Sequence, residues 1–176
     1  EPLFQRPLSR LELQGPSQQE IVNRLLPQLS AQRLTDTVTK LSSFRNRYYQ
    51  SETGLQAALW IRDQFAAIAR NRTDIPVELY THNFKQPSVI ARIKGTGGNS
   101  RNPARADERV ILGAHEDSIN YSGGGPMNSV APGADDDASG SSTVIEAFRV
   151  IVESGFRPER TLEFMTQGYE QDIDEI

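Results

Sequence analysis

Between residues 51 and 70, Leu55, Ala58, Ile61, Phe65 and Ile68 recur at three- and four-residue intervals. That spacing places them on one side of a helix. Upstream, Ser17 stands where it would cap a helix over residues 18–26, ended near Pro27, and Ser30 where it would cap a second one running toward Phe44. Beyond Pro76 the period shortens. Residues 77–84 and 88–93 read as two strands of a hairpin, joined by a polar turn at Lys85-Gln86-Pro87. Residues 95–107, rich in Gly, Asn, Arg and Pro, read as an exposed loop. The apolar run Arg109-Val110-Ile111-Leu112-Gly113 is of the kind that forms a buried central strand.

A glycine-rich loop over residues 121–132 comes next, then a helix over 139–154. Val144, Ala147, Phe148 and Ile151 form its inner face, and Gly155 is placed to stop it. Residues 161–165 supply another strand. Strand, loop, helix and strand make a crossover unit, so the pattern predicts an α/β fold with a mixed, partly parallel sheet flanked by helices. No internal repeat is present. Residues 1–16 mix Pro, Arg and Leu without a period and read as a leader or surface arm, leaving 17–176 as one domain.

Composition narrows the function classes. Apolar residues make up 36% and charged residues 24% of the chain, the balance of a globular protein and not of a disordered one. With 19 Lys+Arg against 23 Asp+Glu and no basic run, nothing favours a nucleic-acid partner. No stretch approaches the roughly 20 apolar residues that span a bilayer, so no membrane partner is expected. Because the sequence holds 0 cysteines, any metal must be held by imidazole and carboxylates. Sequons at Asn71-Arg72-Thr73 and Asn120-Tyr121-Ser122 would accept glycans in a secretory pathway.

Candidate chemistry starts directly after the apolar strand, where His115 and Asp117 stand at its carboxyl end. Ligands gather at such ends in open α/β sheets, and a carboxylate commonly orients a metal-binding imidazole. Taken alone, the His-x-Asp pair is a weak signal and reads more readily as a polar strand terminus. A second cluster, Asp135-Asp136-Asp137, sits among glycines and alanines just before the helix. Three adjacent carboxylates repel one another unless a cation, helix-end amides or water absorbs the charge. One alternative is a solvated turn with Asp137 or Ser139 as helix cap. A calcium loop is another, but its alternating acids and closing glutamate are missing.

Together these segments carry a resemblance. Gly113-Ala114-His115-Glu116-Asp117-Ser118, and then Val130-Ala131-Pro132-Gly133-Ala134-Asp135-Asp136-Asp137-Ala138-Ser139-Gly140, closely resemble the secreted bacterial and fungal leucine aminopeptidases of peptidase family M28. The likeness extends through Phe44-Arg45-Asn46-Arg47-Tyr48-Tyr49, Trp60-Ile61 and Phe156-Arg157-Pro158. It implies a zinc-peptidase-like fold, an extracellular location, a peptide substrate and two zinc ions. By that resemblance His115 is a ligand of one zinc, Asp117 the acid that orients it, and Asp136 the carboxylate bridging both metals. The family then places two consecutive glutamates, a general base and a zinc ligand. Glu170 falls on the base position and Gln171 on the ligand position, with Asp172 as a possible substitute ligand.

A glutamine carbonyl is a weaker zinc donor than a carboxylate. The family's further aspartate and last histidine ligands lie farther along than Ile176, so the resemblance covers the amino-terminal part of a catalytic domain, and against the family's two zinc ions it leaves room for one or none here. It also implies an uncovered sheet face or edge, hence self-association. His82, the other histidine, is expected on an exposed strand or turn, and Glu116 in solvent, pointing away from the metals. The leading expectation is a zinc aminopeptidase that releases amino-terminal, apolar residues, inactive if the late ligands are missing. A non-catalytic homologue acting as a binding module is the alternative, favoured by Gln171, and a purely structural fragment the third.

Overall fold

The computed structural model describes residues 18–98, 103–122 and 124–169. The expected arm over residues 1–16 and the cap at Ser17 lie outside them. Helix α1 (Gln19–Leu25) runs through a short 3-10 turn (Leu26–Gln28) at Pro27. Helix α2 (Ala31–Ser42) begins at Ser30, whose Oγ accepts from Arg33 N at 3.3 Å. Helix α3 (Glu52–Ala69) begins at Ser51, whose Oγ accepts from Gly54 N at 2.9 Å. Each side-chain oxygen satisfies an amide that the first helical turn leaves without a partner.

Among the described residues four strands follow: β1 (Val77–Tyr80), β2 (Ser88–Ile93), β3 (Arg109–His115) and, after helix α4 (Gly140–Glu153), β4 (Thr161–Gln167). They form one sheet in the order β1-β2-β4-β3, with β1/β2 and β2/β4 antiparallel and β3/β4 parallel. This is the mixed, partly parallel sheet that the alternation predicts, and α4 is the crossover that makes β3 and β4 parallel.

The core lies between the sheet and helices α2, α3 and α4. Leu41, Ile61, Phe65, Val144 and Phe148 pack there against Val89, Ala91, Ile93 and Phe164. Phe148 joins the layers, its ring edge-on to Phe65 at 5.0 Å and to Phe164 at 5.1 Å. The helical face of α4 is wider than expected: Val150 and Val152 are also buried, while Ala147 and Ile151 sit at its margin.

Two expectations are corrected. The first strand stops at Tyr80 instead of reaching residue 84. Past Tyr80 the chain leaves the ladder to stack Phe84 on His82, at 4.5 Å, and to set it edge-on against Tyr49, at 5.1 Å. The second concerns the apolar run of β3, which is not a buried central strand among the described residues. It lies at the sheet edge, with Val110, Ile111 and Leu112 exposed by 51%, 52% and 40%. Hydropathy marks a residue suited to burial, while neighbours decide whether burial happens. Among the described residues no helix is long and apolar enough to cross a membrane.

Candidate active site

Strand β3 ends at His115, and the next residue continues its pairing, with Glu116 N donating to Gln167 O at 2.8 Å. Alternation sends His115 and Asp117 to one side and Glu116 to the other. His115 and Asp117 line a cavity of about 540 Å³ at the carboxyl end of the strand, whose other walls come from residues 118–121 and 130–133, Asp136 and Tyr169.

The acidic cluster reaches this cavity through a break in the helix. Residues 134–139 form a turn kinked at Asp136 and Asp137, and the peptide between those two is cis. The three acids are thereby separated. Asp135 is exposed, Asp136 faces His115, and Asp137 turns back on the backbone. Asp137 accepts from Gly140 N at 2.8 Å and from His115 N at 3.2 Å, so it caps α4 and fixes the end of β3 together. Ser139, the alternative cap, donates to Asp135 O instead. Gly140 has no room for a side chain, since a Cβ there would stand 2.2 Å from Asp137 Oδ1.

Each ring nitrogen of His115 meets a carboxylate. Nδ1 lies 3.0 Å from Asp117 Oδ1 and Nε2 lies 2.7 Å from Asp136 Oδ1. Asp117 is buried, whereas Asp136 stands in the open mouth of the cavity. Burial pushes the imidazole pKa down, but the bond and charge of Asp117, the charge of Asp137 and the bond to Asp136 outweigh it and raise the pKa to about 9. Without a metal the ring is therefore an imidazolium that donates to both acids.

The structure thus brings His115, Asp117 and Asp136 together. Glu170, Gln171 and Asp172 lie outside the described residues. His82 is away from this cavity and half-buried, not exposed as expected: its Nε2 is 2.8 Å from Ser88 Oγ. Glu116 does point away from His115, but the expectation of a solvated role is corrected. It is fully buried, and its Oε2 accepts from Thr166 Oγ1. Burial pushes its carboxyl pKa well above the usual range.

One buried residue carried no chemical signal in the sequence. Arg47, between α2 and α3, donates to the carbonyls of Glu116 and Gly133 at 2.8 and 2.9 Å, and so touches both halves of the site. Its segment carries the family likeness, yet its partners are 69 and 86 residues away, beyond any local pattern.

Imidazole nitrogen and carboxylate oxygen are donors suited to zinc, and Nε2 of His115 and Oδ1 of Asp136 converge. Among the described residues, however, no group of three or more His, Cys, Asp or Glu is placed to hold a metal ion. The described part of the site fits zinc in donor type and supplies two donors.

Residues 88–173 match the model of peptidase family M28. Leucine aminopeptidase 1 of Arthroderma gypseum is 43% identical over 138 residues, which cover 76% of this chain and 34% of that protein. Among solved structures, LapB from Legionella pneumophila matches with a TM-score of 0.69 at 32% identity, over 85% of this chain and 37% of LapB. The LapA aminopeptidase of the same bacterium gives 0.70 at 30% identity, over 84% of this chain and 37% of LapA. The chain carries part of a peptidase family M28 domain. It spans about a third of the length of the curated relatives it matches.

Proposed function

We propose that the protein is a zinc-dependent aminopeptidase that removes apolar residues from the amino ends of peptides. The observation that supports this most is the His115 ring held between Asp117 and Asp136 in a cavity at the end of β3. The aminopeptidase names of its relatives point the same way. In this reading His115 Nε2 and Asp136 would hold the zinc. Asp117 accepts the Nδ1 proton of His115, which fixes the ring and leaves Nε2 free to bind once its own proton is lost. Zinc, when bound, supplies a Lewis acid for the peptide carbonyl and for water. Glu170, by its place in the family motif, takes a proton from water and passes it to the departing amine.

The sequon residues differ in a way that bears on a secretory origin. Asn71 is exposed in the turn after α3, whereas Asn120 lines the cavity and its side chain bonds to Val130 O and Ser122 N. A secreted form is expected to carry its glycan at Asn71, as mass spectrometry of the secreted protein would show.

Metal content and hydrolysis of a leucine chromogenic amide test the activity. Two zinc ions per chain, with turnover abolished by His115→Ala, Asp136→Ala and Glu170→Ala, are the expected results. A folded protein with one zinc or none and no turnover would leave the binding module that Gln171 favours.

A further inference from the structure

Arg47 is the largest of the fully buried side chains. Four of its hydrogen bonds go to main-chain carbonyls, of which Gly133 O also accepts from Ala138 N at 3.0 Å and Leu41 O from Phe44 N at 3.4 Å. Nε donates to Glu116 O at 2.8 Å, Nη2 to Gly133 O at 2.9 Å, and Nη1 to Leu41 O at 3.1 Å and to Pro132 O. Its own amide donates to Ser118 Oγ at 2.9 Å, and that hydroxyl donates to Ala131 O at 2.7 Å. Glu116 stands between His115 and Asp117. Pro132 and Gly133 open the loop that carries Asp136. The same guanidinium therefore grips both parts of the site and the end of α2.

The acidic loop is shaped around that group. Gly133 has a left-handed φ of +51°, and a Cβ on it would stand 2.7 Å from Arg47 Nη2 and 2.7 Å from Ser118 Cβ. Planarity matters here: a guanidinium presents donors in a fixed fork and can bond several carbonyls in different directions, while a lysine ammonium on its flexible stem cannot reproduce that pattern.

We propose that Arg47 is a positioning residue that sets the separation between the His115–Asp117 strand end and the Asp136 loop, so that the two zinc donors converge. For zinc the inference rests on the function proposed above; for loop geometry it does not.

Arg47→Lys in the full chain separates the two. In the metal-free protein, backbone amide resonances of residues 116–118 and 131–138 are expected to move together, while those of β1, β2 and α3 stay in place. Zinc affinity, measured by competition with a chromophoric chelator, is expected to fall about 10- to 100-fold, the range typical of groups that orient ligands. Arg62→Lys, on the solvent side of α3 and bonded to Asp63, serves as the control and keeps the parent affinity. Shifts confined to one loop, or zinc affinity within about twofold of the parent in a folded Arg47→Lys protein, would overturn the proposal. If the parent chain takes up no zinc, the zinc reading fails and the amide shifts alone decide the role of Arg47. Should Arg47→Lys not fold, Ser118→Ala, which frees the Arg47 main chain from Ala131, is expected to move the same two sets of amides; no shift in one set overturns the proposal.

Discussion

The two ends of strand β3 are built in opposite ways. At its carboxyl end, Ala114, Glu116, Asp117 and Ser118 are buried beside segments 45–47 and 131–140, and the polar groups there, Glu116 Oε1 excepted, find main-chain or side-chain partners. At its amino end, Val110, Ile111 and Leu112 are exposed, and among the described residues β4 is the only strand beside them. Glu116 and Asp117, just past the strand, and Arg47, packed against them, are thus more buried than Val110 and Ile111 within it. The lesson is that the site end is closed by chemistry-bearing loops within the described residues, whereas the apolar end presents surface those residues leave uncovered.

Gly133→Ala breaks the closed end most severely. The alanine would have to adopt the left-handed conformation and fit a methyl against Asp136 O, at 2.5 Å from the Cβ position, and against Arg47 Nη2. Conformational strain and overpacking together are expected to cost about 2–4 kcal/mol, measured by urea denaturation. A loss below about 0.5 kcal/mol would mean that the loop has slack, and the contrast between the two ends would weaken with it.

Thr166→Val probes the same end from beneath. Thr166 is fully buried on β4, and its hydroxyl donates to Glu116 Oε2, while Glu116 Oε1 has no hydrogen-bond partner among the described residues. Removing the hydroxyl leaves a buried carboxyl stranded at nearly constant side-chain volume, at a cost of about 1–3 kcal/mol. Adding Glu116→Leu to Thr166→Val removes the polar group too, and part of the loss is expected to return in thermal melts. No recovery would mean that Glu116 contributes through some other contact.

Much of this architecture was legible from local pattern, because helix faces, caps and crossovers depend on nearby residues. The inward positions of α3, the Ser30 cap and β2 are such cases. His115 and Asp136 stood out through their setting, a strand end and a small-residue acidic run before a helix. What was not legible depends on long-range contact. The burial of Glu116 requires Thr166 from β4, and the reach of Arg47 requires loops far along the chain. The end of β1 depends on an aromatic group formed by Phe84 with Tyr49 and His82. The exposure of β3 depends on which strands flank it, which an apolar run cannot specify.

The open end yields the smallest effect on stability and a clear effect on association. An exposed apolar edge strand offers main-chain donors and acceptors to another copy, and charged residues are a known remedy for such edges. Ile111→Lys places an ammonium on that edge at a position 52% exposed, opposite Glu163 in the register. Stability is expected to change by no more than about 0.5 kcal/mol, as for other exposed sites. The parent chain made alone is expected to self-associate in light scattering, and Ile111→Lys to move it toward monomer. A parent that is already a monodisperse monomer with a cooperative melt would show that β3 tolerates its exposed edge, and the two ends of the strand would differ in composition without differing in behaviour.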